Sequence, residues 1–157
     1  MISIRELRPD DDLNQVLTLC KDFFAEYEQH HEEFFDTDNL SDDDISGRFI
    51  QSMESDDSAT IIALMDNKIV GYASVVVRDQ PRFYKIKKVG AISAIMVAKD
   101  FRRQGIATKI LTESKNFFGK CGVKYFTFYT SVANKEALKL YEKCGFEPLH
   151  YSFLGKT

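Results

Sequence analysis

Residues 97–108 read Val97-Ala98-Lys99-Asp100-Phe101-Arg102-Arg103-Gln104-Gly105-Ile106-Ala107-Thr108, and they are the most informative part of the chain. An apolar run ends at Val97, a short polar loop follows, and helical spacing of apolar residues begins at Ile106. The first turn of such a helix presents unpaired backbone N–H groups and the positive end of the helix dipole to an anion. Gly105 lets the anion approach the backbone closely, and two adjacent arginines supply donors that suit phosphate. The pattern predicts a phosphate-binding loop; a turn with surface arginines is the alternative.

The order of elements on either side of this loop predicts a mixed sheet. Residues 89–97 are apolar at both alternating sets of positions, which is typical of a central strand covered on both faces. Residue patterns elsewhere predict strands over 2–7, 60–65, 69–77, 125–129 and 149–154, and helices over 13–27, 41–53, 106–118 and 134–143. Strands follow one another early and alternate with helices late, so we expect an α/β fold with helices on both faces. No repeat or linker interrupts the pattern, which predicts one domain over residues 1–157.

A second motif lies in the predicted helix 134–143. Asn134 and Tyr141 are seven residues apart, which is about 700° of helix rotation, so both lie on one face within roughly 20°. Asn134 is suited to hydrogen-bond an amide or hydroxyl of an extended ligand, and Tyr141 can place a phenol beside it. The alternatives are a helix N-cap for Asn134 and a half-buried packing role for Tyr141.

Together the two motifs resemble those of the GCN5-related N-acetyltransferase (GNAT) superfamily. The pyrophosphate loop of that superfamily runs Gln/Arg-x-x-Gly-x-Gly/Ala, which is similar to the pattern of Arg102, Gly105 and Ala107. Its later signature, Asn-x-x-Ala-x-x-x-Tyr-x-x-x-Gly-Phe, matches Asn134, Ala137, Tyr141, Gly145 and Phe146. The resemblance is strongest over residues 92–146, and the order of elements extends it over nearly the whole chain.

This resemblance implies a fold, a cosubstrate and a set of site residues. It implies a central, mostly antiparallel sheet with a splayed parallel pair, and acetyl-CoA bound where strands 89–97 and 125–129 part. Strand backbone would pair with the pantetheine arm at Ile95, Met96 and Val97. The loop and helix start would bind the pyrophosphate through Arg102, Arg103, Gln104, Gly105, Ile106, Ala107 and Thr108. We expect Asn134 to bind the pantetheine. Because acetyl transfer needs a stabilised oxyanion and a proton for the thiolate, we expect a backbone N–H near Val97 to supply the first and Tyr141 the second.

The sequence departs from the family in two places. Many relatives carry a Glu or Asp on the strand before the loop, whereas residues 89–97 contain no carboxylate. Ser93 could hold a water there, and the acidic segment offers the other candidates for the base, which are Glu26, Glu28, His30, Glu32 and Glu33. After Phe146 the sequence has 11 residues, enough for one strand where the family usually has two. A partner subunit could supply the missing edge, so a homodimer is one expectation.

Charge is divided unequally along the chain. Residues 1–57 contain 17 Asp/Glu and 4 Lys/Arg, whereas residues 58–157 contain 7 Asp/Glu and 17 Lys/Arg. In the family, the segment between the first strand and the hairpin commonly forms a wall of the acceptor site, and here residues 22–57 contain 13 carboxylates and several aromatic residues. Such a wall attracts and desolvates cations, so we expect a polyamine, an aminoglycoside-like amine or an amine of a basic peptide as acceptor. A solvated acidic surface is the alternative.

The expected function is acetyl transfer from acetyl-CoA to a primary amine by direct attack. A non-catalytic coenzyme-A-binding module is the alternative, because the strand before the loop lacks a carboxylate. The N-terminus does not read as a signal peptide. The longest nearly apolar run, eight residues with one Ser, is too short to span a membrane, and three separated cysteines lack metal or redox spacing. The acidic segment would repel nucleic acid. We therefore expect a cytoplasmic enzyme with no metal and no nucleic-acid or membrane partner.

Overall fold

A computed structural model describes residues 1–31, 33–37 and 39–157. Within those residues the strands are β1 (Ile2–Glu6), β2 (Ser58–Met65), β3 (Lys68–Asp79), β4 (Lys88–Val97) and β5 (Phe126–Phe128), and they form one sheet in that order. The helices are α1 (Leu13–Glu28), α2 (Asp42–Met53), α3 (Ile106–Lys120) and α4 (Lys135–Lys143). A short 3-10 turn, Lys99–Phe101, lies between β4 and α3. None of the helices in the described ranges has the length and apolar character that a membrane span requires.

Apolar cores lie on both faces of the sheet. On one face α1 and α2 contribute the buried side chains Val16, Leu17, Leu19, Cys20, Ile45 and Phe49. On the other face α3 contributes Ile106, Ile110, Leu111, Phe117 and Phe118, and Leu140 and Tyr141 of α4 pack against this second core. The helical spacing of these apolar residues in the sequence is what directs one stripe of each helix to the sheet. The prediction of a mixed sheet with helices on both faces is confirmed.

The sheet is antiparallel from β1 to β4, and β5 joins it parallel to β4. This parallel pairing is short, because it covers only Gly90 with Phe126, Ala91 with Thr127, and Ile92 with Phe128. The β3–β4 register shifts next to this point and leaves Ser93 as an extra residue of β4. A bulge of this kind bends and twists a strand. β4 then continues to Val97 paired with β3 alone, so β4 and β5 separate beyond Ile92, as the prediction of a splayed pair requires.

The predicted strand over residues 149–154 is wrong. The segment has no regular secondary structure, and all of its residues are exposed. Its alternating apolar residues have the pattern of a strand, but a strand forms only where a neighbouring backbone edge accepts its hydrogen bonds. In the described residues the segment from Glu147 onward makes no backbone hydrogen bond with another part of the chain. The prediction was wrong because the segment has the residue pattern of a strand but no neighbouring strand to pair with among the described residues.

Candidate active site

A cleft of about 510 Å³ opens where β4 and β5 separate. Its floor is the end of β4. One side is the first turn of α3 with the preceding loop residues Phe101, Arg102, Arg103 and Gly105, and the opposite side is α4 together with residues 128–130. Phe23, Glu26 and Tyr27 of α1 close a further side. Except for Gln104, all the cofactor residues predicted from the sequence line this cleft, and so does Tyr141. Gln104 lies in the loop and is exposed.

The end of β4 presents backbone polar groups to the cleft. The Ala98 N–H donates to the Val70 carbonyl oxygen at 2.9 Å, which fixes the side of β4 that bonds to β3. In an antiparallel ladder alternate residues direct both backbone groups to the same neighbour. The N–H and C=O groups of Ile95 and Val97 therefore point away from β3, toward the side from which β5 has separated. An extended ligand with amide groups could pair with them as an added strand would.

Gly105 starts α3 with a backbone conformation that suits glycine. Its φ is 75°, in the left-handed region, and other residue types adopt this region at a cost of about 1 kcal/mol or more. A Cβ at this position would meet no atom within 4 Å, so the space beside the helix start is open. No side chain caps this end of α3 in the described structure. The N–H groups of the first turn, Ile106, Ala107 and Thr108, are therefore oriented toward an open space that suits an anion.

The Arg102 side chain does not extend toward this helix start. Its Nε donates to the Val97 carbonyl oxygen at 2.8 Å, and its Nη2 donates to Glu26 Oε1 at 2.8 Å. Lys99 Nζ lies 3.9 Å from the same carboxylate oxygen. Arg102 therefore ties α1 to the loop and occupies the carbonyl group at the end of β4. Only a change of side-chain conformation would bring its guanidinium to a phosphate at the helix start.

Arg103 joins the loop to the opposite side of the cleft. It has a φ of 63° although it carries a side chain, and residues held in that region concentrate at functional sites. Its guanidinium forms an ion pair with Glu136 in the first turn of α4. This ion pair spans the mouth of the cleft. Because both partners are exposed, it contributes little to the stability of the fold.

Asn134 has the capping role that was the alternative reading of the sequence. Its side-chain oxygen accepts a hydrogen bond from the Ala137 N–H at 3.2 Å and so caps α4. The side-chain NH₂ group has two donors that the cap does not use. Because Asn134 also lines the cleft, capping and ligand binding are compatible at this position.

Tyr141 is half-buried in the wall of the cleft. Its ring packs edge-to-face on Phe128, with 4.6 Å between ring centroids, and also contacts Phe146. Burial raises the pKa of Tyr141 to about 12, and the nearby Cys144 thiol contributes to the rise. The phenol therefore keeps its proton at neutral pH and can donate a hydrogen bond into the cleft.

The residues predicted as candidates for the general base differ in their positions relative to the cleft. Glu26 lines the cleft, whereas Glu28 accepts a hydrogen bond from Thr37 at 2.7 Å and Glu33 accepts one from Lys156 at 2.8 Å. His30 packs edge-to-face on Tyr27. Glu32 lies outside the described residues. Ser93 also lines the cleft, and its hydroxyl lies 3.4 Å from the Ser74 carbonyl oxygen.

Several residues of the cleft were not predicted as site residues. They are Phe101, Phe128, Tyr129, Thr130, Lys135, Glu136, Lys139, Leu140 and Lys143. The three lysines recur every four residues along α4, a spacing that places them on one face of the helix. Spacing from Asn134 could have identified these lysines. The contribution of Phe101 depends on the 3-10 turn, for which the sequence carries no periodic signal.

Comparison with known sequences identifies the relatives of this chain. The sequence model of the acetyltransferase (GNAT) family matches residues 16–146. An N-alpha-acetyltransferase of Saccharolobus solfataricus is 30% identical over 106 residues, which cover 63% of this chain and 62% of that protein. N-alpha-acetyltransferase 30 of Schizosaccharomyces pombe is 30% identical over 87 residues, which cover 55% and 56%. The match thus spans about three fifths of the length of these relatives.

Solved structures share the fold at low sequence identity. An aminoglycoside N-acetyltransferase in complex with CoA superimposes with a TM-score of 0.81 at 20% identity, over 100% of this chain and 95% of that chain. A mutant of the BH1408 protein from Bacillus halodurans gives a TM-score of 0.84 at 18% identity, over 99% of each chain. These likenesses extend over essentially the whole length of the chain.

Proposed function

The chain belongs to the acetyltransferase (GNAT) family, and we propose that it transfers an acetyl group from acetyl-CoA to a primary amine by direct attack. The observation that carries this proposal is the cleft between β4 and β5, which joins free strand backbone to the uncapped N-terminus of α3. A long ligand with amides at one end and phosphates at the other matches that arrangement of donors and acceptors.

The residues of the cleft fit such a cosubstrate. We propose that the backbone of Ile95, Met96 and Val97 binds the pantetheine arm, with Asn134 donating to it from α4. The pyrophosphate would bind to the loop and first turn through Arg102, Arg103, Gln104, Gly105, Ile106, Ala107 and Thr108. Support comes from the open space beside Gly105 and from the lysines that α4 presents to the cleft.

The chemistry requires a neutral amine, a stabilised oxyanion and a proton for the sulfur. The thioester supplies an activated carbonyl and a thiolate leaving group. An alkylamine with a pKa of about 10.4 is neutral only about once in 2500 molecules at pH 7, so the site must favour loss of that proton. The Val97 N–H, which faces the cleft, is our candidate donor to the oxyanion.

Tyr141 is our candidate for the acid at the sulfur. A phenol whose pKa is about 12 stays protonated, but it is a weaker acid than an ordinary thiol, whose pKa is about 8.5. Tyr141 therefore donates a hydrogen bond as the carbon–sulfur bond breaks, and any proton it gives up is regained from the attacking nitrogen. At the end the nitrogen has lost one proton and the thiol has gained one, so the phenol is unchanged.

The side of the cleft formed by Phe23, Glu26 and Tyr27 of α1 supports the proposal of a cationic acceptor. Phe23 and Tyr27 supply aromatic rings, which attract cations, and Glu26 supplies a carboxylate that is about 30% exposed. Glu26 Oε1 is bound to Arg102, and Oε2 remains an acceptor for an ammonium group. A polyamine, an aminoglycoside-like amine and the amine of a basic peptide all share this chemistry. Among the similar proteins, one is named an N-alpha-acetyltransferase, and one was solved with a bisubstrate analogue of CoA and an acetylneamine.

The experiment that tests the proposal measures thiol release from acetyl-CoA with a panel of amines. The panel contains spermidine, an aminoglycoside, and peptides of equal length whose net charge is positive, neutral or negative. We expect turnover with at least one cationic amine, and a kcat/KM at least tenfold above that of the neutral and acidic peptides. Equal turnover of all the peptides would contradict the cationic acceptor but not the transfer reaction. Propionyl-CoA, tested in parallel, reports on selectivity for the acetyl group.

Two variants test the roles that we propose for residues of the cleft, and a third is their control. Gly105→Glu puts a carboxylate into the open space at the helix start and should weaken acetyl-CoA binding so far that turnover is lost. Tyr141→Phe should lower kcat by about 10²-fold with little change in the KM for acetyl-CoA. Tyr84→Phe, on the connection between β3 and β4, removes an exposed phenol outside the cleft and is the matched control.

Each contrary result has a distinct meaning. An unchanged kcat in Tyr141→Phe would remove Tyr141 from the mechanism while leaving the transfer reaction in place. Acetyl-CoA binding by calorimetry without turnover of any amine would favour the non-catalytic coenzyme-A-binding module. Turnover that survives Gly105→Glu would contradict the proposed pyrophosphate site.

A further inference from the structure

Glu26 of α1 brings to the cleft a carboxylate that two cations already face. Its Oε1 accepts a hydrogen bond from Arg102 Nη2 at 2.8 Å, and Lys99 Nζ lies 3.9 Å from the same oxygen. One carboxylate beside two cations leaves the local charge positive. An ammonium group that enters the cleft would therefore gain little attraction from Glu26 as long as both cations stay in place.

Arg102 is the closer of these two cations and makes further contacts at the end of β4. Its Nε donates to the Val97 carbonyl oxygen at 2.8 Å, and its Nη2 lies 3.6 Å from Met96 Sδ. The Arg102 and Glu26 side chains are each 30% exposed, so their ion pair is weak enough for another anion to replace. Lys99 holds the carboxylate less, because its side chain is 76% exposed and lies farther away. Release of Glu26 therefore depends chiefly on Arg102.

The pyrophosphate of acetyl-CoA is an anion that can replace Glu26 at Arg102. A guanidinium binds phosphate oxygens through two parallel hydrogen bonds, which makes phosphate a strong partner for arginine. Arg102 stands three residues before Gly105, where the start of α3 opens onto free space. The same guanidinium therefore has two possible anionic partners, one on α1 and one at the start of α3.

We propose that Glu26 exchanges partners: it holds Arg102 in the free protein, and it binds the ammonium group of the acceptor once Arg102 has turned to the pyrophosphate of acetyl-CoA. This inference rests on the proposed function. The exchange couples the two ligands through one ion pair, because the partner of Arg102 sets the charge that the acceptor meets at Glu26. Coupling between binding sites is reciprocal, so removal of the Glu26 charge must affect both ligands.

The aromatic residues beside Glu26 suit the second partner, an ammonium group. Phe23 and Tyr27 are four residues apart on α1, and their rings stack with 5.6 Å between centroids. Both line the cleft together with Glu26. Aromatic rings next to a released carboxylate favour an alkylammonium group over a neutral amine. Glu26 would thus determine the selectivity for cationic acceptors only while Arg102 is bound elsewhere.

Calorimetry with CoA measures the exchange without turnover, because CoA carries the pyrophosphate but no acetyl group. Glu26→Gln keeps the size of the side chain and removes its charge, so Arg102 is held less tightly. We expect the Kd of CoA at 20 mM NaCl to fall about threefold to fivefold, the range that an ion pair of this exposure allows. The same variant should raise the KM for the preferred cationic amine about tenfold or more, because the ammonium group loses its charged partner. One substitution should therefore strengthen one ligand and weaken the other.

Three further variants separate the exchange from a general effect of charge. Asp22→Asn, one turn earlier on α1, removes the same charge from an exposed residue that does not line the cleft. It should leave the Kd of CoA within about twofold of that of the natural chain. In an Arg102→Gln background, adding Glu26→Gln should also change the Kd less than about twofold, because the partner is gone. Glu26→Ala removes the contact altogether and repeats the test without a side-chain oxygen that could still accept from Arg102.

The outcomes distinguish the partner exchange from the proposed function. A natural chain that binds CoA with a Kd unchanged in both Glu26 variants would overturn the exchange and leave acetyl transfer in place. An equal fall of the Kd in Asp22→Asn, or in the Arg102→Gln background, would overturn it as well, since net charge would then explain the effect. An unchanged KM for the amine in a variant that binds CoA more tightly would overturn the passage of Glu26 to the acceptor. A natural chain that binds no CoA would contradict the proposed function itself, and the exchange with it.

Discussion

Tyr141 shows how the position of one side chain in a cleft wall sets its protonation. Its pKa is raised to about 12 chiefly because a buried phenolate would lose solvation. In the unfolded chain the pKa returns to about 10. The folded state therefore favours the protonated phenol, and this contribution to stability is fully present below pH 10 and is lost as the pH rises toward 12.

This linkage predicts an alkaline loss of stability that belongs to Tyr141. Between pH 9 and pH 11.5, the free energy of unfolding of the natural chain should fall by about 2 kcal/mol more than that of Tyr141→Phe. Urea unfolding at the two pH values measures the difference, and the comparison between the two proteins cancels the titration of other groups. A constant difference between the natural chain and Tyr141→Phe would contradict the raised pKa.

At the residue scale, the spacing of residues in the sequence predicted well which residues lie at the cleft. It predicted less well which contacts each side chain makes there. Loop and helix positions follow from local patterns, and Asn134, Tyr141 and the predicted loop residues Arg102, Arg103 and Gly105 do line the cleft. The partner of Arg102 does not follow from any local pattern, because Glu26 is 76 residues away in sequence. Only the packing of α1 beside β4 brings that carboxylate to the guanidinium.

At the scale of elements, the cleft depends on how soon β4 and β5 part. Gly90 pairs with Phe126 in the short parallel ladder, and Phe118 of α3 packs directly on it. A Cβ at Gly90 would lie 2.6 Å from the Phe118 ring, which is fully buried. The absence of a side chain at Gly90 is therefore what allows α3 to approach the base of the splayed pair.

This close approach predicts opposite effects for two glycine substitutions. Gly90→Ala should lower the free energy of unfolding by about 1–3 kcal/mol, because Phe118 must move in a packed core. Gly47→Ala, in α2, should raise it by up to about 1 kcal/mol, because a Cβ there meets nothing within 4 Å and alanine favours the helix. Urea unfolding measures both. A neutral Gly90→Ala would mean that the contact between α3 and β4 is not tightly packed.

The helices and central strands formed as predicted, whereas the strand over residues 149–154 did not. The two groups differ in how they are stabilised. The helices and the central strands bury an apolar face within the same chain, so their periodicity is sufficient to predict them. Residues 149–154 have an equally regular alternation, but they are exposed and make no backbone hydrogen bond with another part of the described chain. Alternation alone, without a buried face or a paired neighbour, is therefore not sufficient to predict a strand.

At the scale of the whole molecule, only part of the unequal division of charge along the sequence reaches the cleft, since the single acidic side chain that the described residues of the acidic part bring to it, Glu26, is paired with Arg102. The basic part contributes Lys135, Lys139 and Lys143 along α4, and the acidic part contributes Glu26 on α1. The lysines of α4 make their side of the cleft basic, as binding of a polyanionic cosubstrate would require. Charges that act at this range are screened by salt, since the Debye length falls from about 30 Å at 0.01 M to about 3 Å at 1 M.

The α4 lysines therefore predict a salt-dependent affinity for acetyl-CoA. Replacing Lys139 and Lys143 with Gln should raise the KM for acetyl-CoA about tenfold at 20 mM NaCl, with kcat unchanged, because the loss falls on attraction of the polyanion. The matched control replaces Lys115 and Lys120 of α3, which are exposed but do not line the cleft, and has the same net charge. At 500 mM NaCl screening should bring the KM values of all three proteins within about twofold. Equal KM values for the two double variants at low salt would show that net charge alone attracts the cosubstrate and that the lysines beside the cleft have no special part in its binding.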